Sequence, residues 1–554
     1  MLKNFRNFLL VAAAGCLSLA QPSMAAEGIN GNLVTGNWLK NNLANPSVLI
    51  LDTSPAKLYA AQHIPGAINI DLLSYGVQEV PVAEMEKRYQ SWGVSPGKKI
   101  VMYDQAGTGA ATRLFFELYY HGFPVQDLLI LDGAIYKWQE AGLPVTKDMT
   151  PAPKNGSFKI EKSNEEVRVM LPEFLTASGD PANNALVEAL GADWHFGEVA
   201  VFDRAGHIPN GILLPSADFY NPDQTFKSAD EIRKMLAYSG VKPEQQIYTY
   251  CGGGIAASVP FFALKFLVKY PKVKLYSESE IGWLSDERQL PYWTYDAPFL
   301  MRDTNWLKSW GGMMMKMYAG AQVTIVDVRP ADAFNQGHVP FALSVPAAVF
   351  RSHLTDPAEL AKILGPAGVN ASHEAVVVSG AGLTKDAALA FVMLEKLGQK
   401  KVSVFMDGMD SVEAIDKLAQ RGFALTKNGT TLVTKKTPDD LSVPRTPYIG
   451  SVRKDVVIAD PTSTQGVYPK VFIASGGSVP TKAPDGKVVH VPYTDLLNAD
   501  GTPKAAKDIW NILAKAGVPR YAELVFFSDD PGEAAANYFV LKLMGYPDIK
   551  VWAI

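Results

Sequence analysis

The chain has 554 residues, of which 47% are hydrophobic and 19% charged, and a formal net charge of −4. That length exceeds what one hydrophobic core serves and implies about three to five domains. The composition is that of an ordinary globular protein, and the slightly acidic balance argues against nucleic-acid binding, which calls for a basic patch or stripe.

The N-terminus reads as an export signal. Lys3 and Arg6 form a short basic region, Phe8 to Ala20 an apolar run, and Ser23-Met24-Ala25 a small-residue cleavage site. Residues 1–25 are therefore expected to be a signal peptide and the protein to be periplasmic or secreted. Ala13-Ala14-Gly15-Cys16 loosely resembles a lipoprotein cleavage box without its usual leucine, so lipidation through Cys16 is a variant of the same export reading. The apolar run is too short for a membrane span, and no later segment is long enough, so no transmembrane segment is expected once the signal is removed. Of the two cysteines, Cys16 and Cys251, only Cys251 survives cleavage, and a lone thiol cannot form an internal disulfide.

Four segments share one grammar. Val94 leads to Asp104, Val241 to Cys251, Val369 to Ser379 and Val518 to Ser528, always over the same ten-residue interval. In each, a short β-branched or aromatic run ends at that last residue and a loop follows, such as Gly252-Gly253-Gly254. Helical stretches come next, at Ala111–Tyr120, Ala257–Lys269, Lys385–Leu397 and Glu533–Met544. Second apolar runs close the repeats at Leu128–Leu131, Val273–Tyr276, Val402–Phe405 and Ile549–Trp552. Strand, crossover helix and strand predict a parallel sheet, and the spacing of the repeats is domain-sized.

Upstream of each anchor a further strand is expected, at Val48–Asp52, Ala185–Glu188, Val323–Asp327 and Val456–Asp460. Three repeats then carry a turn, His63-Ile64-Pro65, His207-Ile208-Pro209 and His338-Val339-Pro340. Linkers are expected at Thr150–Gly156, Pro291–Pro298 and Lys427–Pro438. They divide the mature chain into domains at 29–149, 157–297, 300–427 and 438–554.

These motifs resemble the rhodanese family of sulfurtransferases. Asp327-Val328-Arg329 with Gly337-His338-Val339-Pro340 is similar to that family's Asp-x-Arg and Gly-His-Ile-Pro signatures. Tyr250-Cys251-Gly252-Gly253-Gly254-Ile255-Ala256-Ala257 resembles the active loop of its two-domain thiosulfate and 3-mercaptopyruvate members. Leu131-Asp132-Gly133 with Trp138, and Tyr276 with Ser279 and Trp283, resemble the segment after the fifth strand. The resemblance implies an α/β fold of four tandem rhodanese-like domains, each a central parallel sheet flanked by helices. The second would be catalytic through Cys251. The first, third and fourth would be inactive, with Asp104, Ser379 and Ser528 at the cysteine position.

The chemistry suits the loop. Glycines let several backbone N–H groups turn inward, and a helix N-terminus adds positive potential, so Gly252, Gly253, Gly254, Ile255 and Ala256 are expected to bind the thiolate and its persulfide. A lowered Cys251 pKa is expected on the same grounds. The thiolate would take sulfane sulfur from thiosulfate, 3-mercaptopyruvate or a related donor and pass it to cyanide or a thiol. Beyond that covalent persulfide no cofactor is expected, and no metal, because no second cysteine or spaced histidine pair stands nearby.

A structural role in closing the turn is the primary reading of His63, His207 and His338, and the resemblance makes His63 a candidate for assisting catalysis. In the second repeat the Asp-x-Arg position reads Glu188-Ala189-Leu190, and the loop is neutral, so His195 and Arg204 are candidates for supplying charge to a donor. A non-enzymatic alternative is a persulfide carrier or docking protein whose inactive repeats bind a protein partner. Phosphatase chemistry is excluded, since its loop ends in an arginine and none follows Cys251 before Arg288.

Overall fold

The computed structural model describes residues 28–72, 80–105, 108–200, 203–306, 322–339, 342–408, 445–463 and 466–553. The expected signal peptide at 1–25, Cys16 and the expected linker at Lys427–Pro438 lie outside them. The chain forms two compact units, Met1–Ser163 with Pro222–Thr225, and Asn164–Asn221 with Phe226–Ile554.

The first unit holds one sheet. Its strands are β1 (Ile29–Asn30), β2 (Leu33–Val34), β3 (Val48–Asp52), β4 (Ile68–Asn69), β5 (Lys99–Tyr103) and β6 (Leu128–Leu131), in the order β1-β2-β6-β5-β3-β4. All neighbours are parallel except the β1–β2 pair.

Three five-stranded parallel sheets lie in the second unit. β7 (Arg168–Val169), β8 (Asn184–Glu188), β9 (Gly211–Leu213), β10 (Gln246–Tyr250) and β11 (Val273–Tyr276) run in the order β7-β11-β10-β8-β9. β12 (Met301–Arg302), β13 (Val323–Asp327), β14 (Leu343–Ser344), β15 (Glu374–Val378) and β16 (Lys401–Phe405) repeat that order. So do β17 (Val457–Ile458), β18 (Lys470–Ala474), β19 (Val488–His490), β20 (Glu523–Phe527) and β21 (Ile549–Trp552).

The four anchor residues therefore stand in one architectural position. Asp104, Cys251, Ser379 and Ser528 each follow the middle strand of their sheet, β5, β10, β15 and β20, at its carboxyl end. These strands read as near-continuous apolar runs because helices cover both faces of a parallel sheet. In a doubly covered sheet that end is where the loops gather and where a ligand finds open space.

Two expectations need correction. In the fourth repeat the strand beside the anchor strand is β18, paired residue by residue with β20, and not Val456–Asp460, whose Val457–Ile458 forms the edge strand β17. The Val471-Phe472-Ile473-Ala474 run supplies the buried side chains that a strand second in the sheet needs, whereas two residues suffice at an edge. The helix after Cys251 is also not one regular stretch over Ala257–Lys269. An α-helix at Ser258–Phe262 passes into a π turn at Ala263–Leu267. Pro260 lies in the first turn, where its missing N–H costs no helix bond; the ladder starts regularly, with the Phe261 amide on the Ala257 carbonyl, and widens only later, with the amide of Val268 donating to the Ala263 carbonyl at 2.8 Å.

Each core is built from residues the sequence marks as apolar. Trp138 and Trp283 are buried at matching points, and each indole N–H donates to a proline carbonyl, Pro144 and Pro291, at 2.9 Å. A buried indole must find such an acceptor. The third and fourth sheets share one continuous apolar cluster, centred on the helices Lys385–Lys396 and Pro531–Leu543, where Phe391 meets Phe539 edge-on at 5.0 Å.

Candidate active site

β10 sits between β11 and β8, so the chain leaving Tyr250 emerges at the middle of the sheet edge. Cys251 follows at once and is 2% exposed. Gly254 takes φ +88°, a conformation that glycine adopts without penalty. That turn aims the Gly254 amide at Cys251 Sγ, 3.0 Å away. The amides of Ala257 and Gly253 also favour the charged form of the thiol.

The strand-11 corner closes the site from the other side. The Cys251 amide donates to Ser279 Oγ at 3.1 Å, and that oxygen lies 4.0 Å from Sγ while its proton goes to the Tyr276 carbonyl. The amides of Glu280 and Ile281 donate to the carbonyls of Cys251 and Gly252, both at 3.0 Å. Ser279 itself has φ +50°, matched in the first sheet by Ala134 at +51°, after which Ile135 donates to the Asp104 carbonyl. The corner is thus a repeated device, and Ser279 and Glu280 are its chemical variants.

Of the five expected loop residues, Gly253 and Gly254 present amides to the sulfur. Ile255 and Ala256 instead accept from Ser258 and Val259, which starts the helix, and Gly252 is held by Ile281. Ala257 closes the loop motif and Ser279 belongs to the later segment, but neither was expected at the sulfur, since what they do depends on a fold-back and on a contact 28 residues away. The lowered thiol pKa is not found. Burial pushes Cys251 above the ordinary thiol value, and the pull of the Ala257, Gly254 and Gly253 amides does not outweigh it, with Glu280 adding a further push upward. The helix that was to supply a dipole is also short before its π turn.

Behind Cys251 lies a buried polar cluster. Glu188, at the end of β8, pairs in register with Tyr250 and accepts from its hydroxyl at 3.4 Å. His195 is fully buried, with Nδ1 on Glu188 and Nε2 on Asp296 Oδ1 at 2.6 Å. Burial alone would push His195 down, but the two carboxylates bring it up to about 10. His207 stacks on it, centroids 3.6 Å apart and planes 2° apart, and burial together with the His195 charge takes it down to about 3. Burial, aided by the Glu188 charge, raises Glu280 to about 9 against the pull of a hydrogen bond from Tyr292.

Glu188, His195 and His207 offer ligand atoms within 4.8 Å of one another. The parallel rings point their nitrogens side by side rather than at one point, and His207 Nδ1 is already spent on the His195 carbonyl at 2.9 Å. The arrangement is a hydrogen-bonded ion cluster.

The three turn histidines share one geometry. His63, His207 and His338 each stack on an aromatic ring, from Tyr59, His195 and Phe334, and each ring Nδ1 meets that residue's carbonyl at 2.8 to 2.9 Å. In the first unit His63 Nε2 also faces the Asp148 carbonyl at 3.2 Å, so both nitrogens are engaged within the turn. His195 likewise has no nitrogen left for a donor. Arg204 donates to the Leu290 carbonyl at 2.8 Å and lies over the Tyr292 ring, half-buried.

Comparison with known proteins agrees with this picture. The family model described as a rhodanese-like domain matches residues 35–141 and 313–415, the regions of the first and third sheets. A putative thiosulfate sulfurtransferase of Synechococcus elongatus is 31% identical over 294 residues, 49% of this chain and 87% of that protein. A sulfur carrier protein, TtuD, of Thermus thermophilus is 29% identical over 270 residues, 45% of this chain and 93% of that protein. A probable 3-mercaptopyruvate sulfurtransferase of Pseudomonas aeruginosa is 27% identical over 281 residues, 47% of this chain and 97% of that protein. With the four repeated sheets and a cysteine at the carboxyl end of a middle strand, these likenesses mean that the chain belongs to the rhodanese-like sulfurtransferase family.

Proposed function

We propose that the protein is an exported sulfurtransferase working through a Cys251 persulfide. The observation that carries this reading is the placement of Sγ 3.0 Å from the Gly254 amide, in a loop where the Ala257 and Gly253 amides also favour the thiolate. Such a cradle stabilises a thiolate and then the terminal sulfur of a persulfide, with no resident cofactor. The thiolate attacks the outer sulfur of thiosulfate, the S–S bond breaks, and sulfite leaves with the bonding pair. Cyanide or a thiol then attacks the outer persulfide sulfur, and Cys251 leaves as thiolate. With 3-mercaptopyruvate the broken bond is C–S, and the carbon left behind takes up a proton.

In this reading residues 157–297 form the catalytic rhodanese-like domain, and 29–149, 300–427 and 438–554 are domains without the chemistry. Steady-state thiocyanate formation from thiosulfate and cyanide, repeated with 3-mercaptopyruvate, tests it on wild type and Cys251→Ser with matched melting curves. Serine fills the same space but cannot hold a transferable sulfur, so turnover is expected to vanish. Residual turnover in the variant refutes the assignment.

The likeness to a sulfur carrier protein favours a second reading, in which the protein loads sulfur and hands it only to a partner protein docked on the other repeats. Its signature is a one-sulfur mass increase on Cys251 without turnover on small acceptors.

A further inference from the structure

The three turn-histidine repeats solve one electrostatic problem in three ways. Each buries a carboxylate at the end of the strand beside the anchor strand: Asp52, Glu188 and Asp327. In the third sheet Arg329, two residues on, forks onto Asp327 at 2.7 to 3.2 Å and reaches the Gly337 carbonyl at 2.9 Å, while the neutral Phe334 stacks on His338. In the first sheet position 54 is serine, no cation among the described residues faces Asp52 at hydrogen-bond distance, and burial pushes that carboxyl up. In the second sheet position 190 is leucine, half-buried. The stacking partner of the turn histidine has instead become His195, whose ring reaches Glu188 on one side and Asp296 on the other.

We propose that His195 is a positioning residue, the counter-ion that replaces the arginine of the Asp-x-Arg motif in the catalytic repeat and fixes the end of β8 against the strand that carries Cys251. The path is short. Glu188 pairs with Tyr250 in register, the amide of Ala189 donates to the Tyr250 carbonyl at 2.9 Å, and Cys251 is the next residue. Asp296 anchors the far side of the clamp against Gly545, where any side chain would collide with its carboxylate. A buried carboxylate without its partner is strongly unfavourable, so loss of the His195 charge would free Glu188 to take up a proton or to move. The other titratable groups facing the clamp are His207, Tyr250, Glu280, Tyr292 and Tyr546.

The proposal rests on Cys251 being the reacting thiol, but its test needs no sulfur donor. Alkylation of Cys251 is followed by mass spectrometry against pH, beside thermal melts, in wild type, His195→Phe, and the triple variant Glu188→Asp, Leu190→Arg, His195→Phe, which rebuilds the third sheet's arrangement. His195→Phe is expected to slow alkylation at neutral pH about tenfold, the equivalent of one unit of thiol pKa. The triple variant is expected to return to within about twofold of wild type, on the same scale. In wild type the clamp's contribution to the melt is whole below about 6.5, the ordinary histidine value. It is lost as pH rises through about 10, where His195 gives up its proton. A His195→Phe profile that superimposes on wild type overturns the proposal. So does a triple variant that folds without recovering the rate, or that fails to fold at all. If Cys251→Ser retained turnover, the sulfurtransferase reading would fail while the clamp was still judged by these alkylation profiles.

Discussion

Replacing Gly254 by alanine isolates what one loop amide contributes. The residue sits at φ +88°, where a Cβ crowds its own carbonyl, so holding alanine there costs about 1–2 kcal/mol. If the chain relaxes instead, the amide turns away from Sγ, now 3.0 Å distant. A hydrogen bond to a charged group is worth about 1.5–3 kcal/mol, which is about one to two units of thiol pKa. At neutral pH, where the thiol is mostly protonated, alkylation of Cys251 should then fall about 10- to 100-fold, one decade per unit. The backbone cost alone should lower the melting temperature by only a few degrees. Gly253 has no positive φ, so Gly253→Ala keeps its amide in place and is expected to do less. The assay is the pseudo-first-order rate of iodoacetamide labelling against pH, with the site confirmed by mass spectrometry. A Gly254→Ala profile that coincides with wild type would show that the cradle does not govern the thiol.

Other outcomes follow from the same geometry. Ser379→Ala and Ser528→Ala should leave sulfur loading at Cys251 unchanged within about twofold, since small substitutions remote from a site are close to neutral, and thiocyanate assays on the purified variants check this. In wild type the inflection of Cys251 alkylation should lie above the free-thiol value of about 8.5, because burial outweighs the three amides. An inflection near neutrality would mean that the loop opens to solvent far more than its 2% exposure allows.

The repeat was legible because a parallel sheet buries its middle strands on both faces, leaving a short apolar run with a fixed exit. That is why one interval located Asp104, Cys251, Ser379 and Ser528 at four equivalent points. The fourth repeat's second strand was misplaced because Val456–Asp460 ends in a carboxylate, as the other three do, whereas β18 ends in Ala474. The motif outweighed the plainer signal of the Val471–Ala474 run. The site's remaining members could not be read locally. Ser279 meets Cys251 from 28 residues away, and Asp296 meets His195 from 101. One residue carried a hint. Leu190 stands where the third repeat has Arg329, so Glu188 lacked a cation, and His195 lies seven residues along from it. The thiol pKa was misjudged because glycines and a helix start are visible in a sequence, while the depth at which a thiol is buried is not.

The anchors of the other repeats show why a shared fold does not give shared chemistry. Asp104 accepts from Thr108 Oγ1 at 2.7 Å and from the Ala111 amide at 3.4 Å, so the helix start there is answered by a fixed carboxylate. A carboxylate in that place cannot carry sulfur as a persulfide, as a thiol can. Ser379 accepts from Thr384 Oγ1 at 2.8 Å, and Ser528 donates to Glu533 at 2.6 Å, so each hydroxyl is absorbed into its own loop. Around Ser528 the neighbouring charges are used for assembly. Asp530 takes Arg351 at 2.8 Å and Lys385 at 2.6 Å from the third repeat, which hold it down to about 2 despite its partial burial. The carboxyl end of the middle strand is thus a position of choice in every repeat. Three glycines follow the thiol there, whereas a loop of Asp529-Asp530-Pro531 makes a docking point for the preceding repeat.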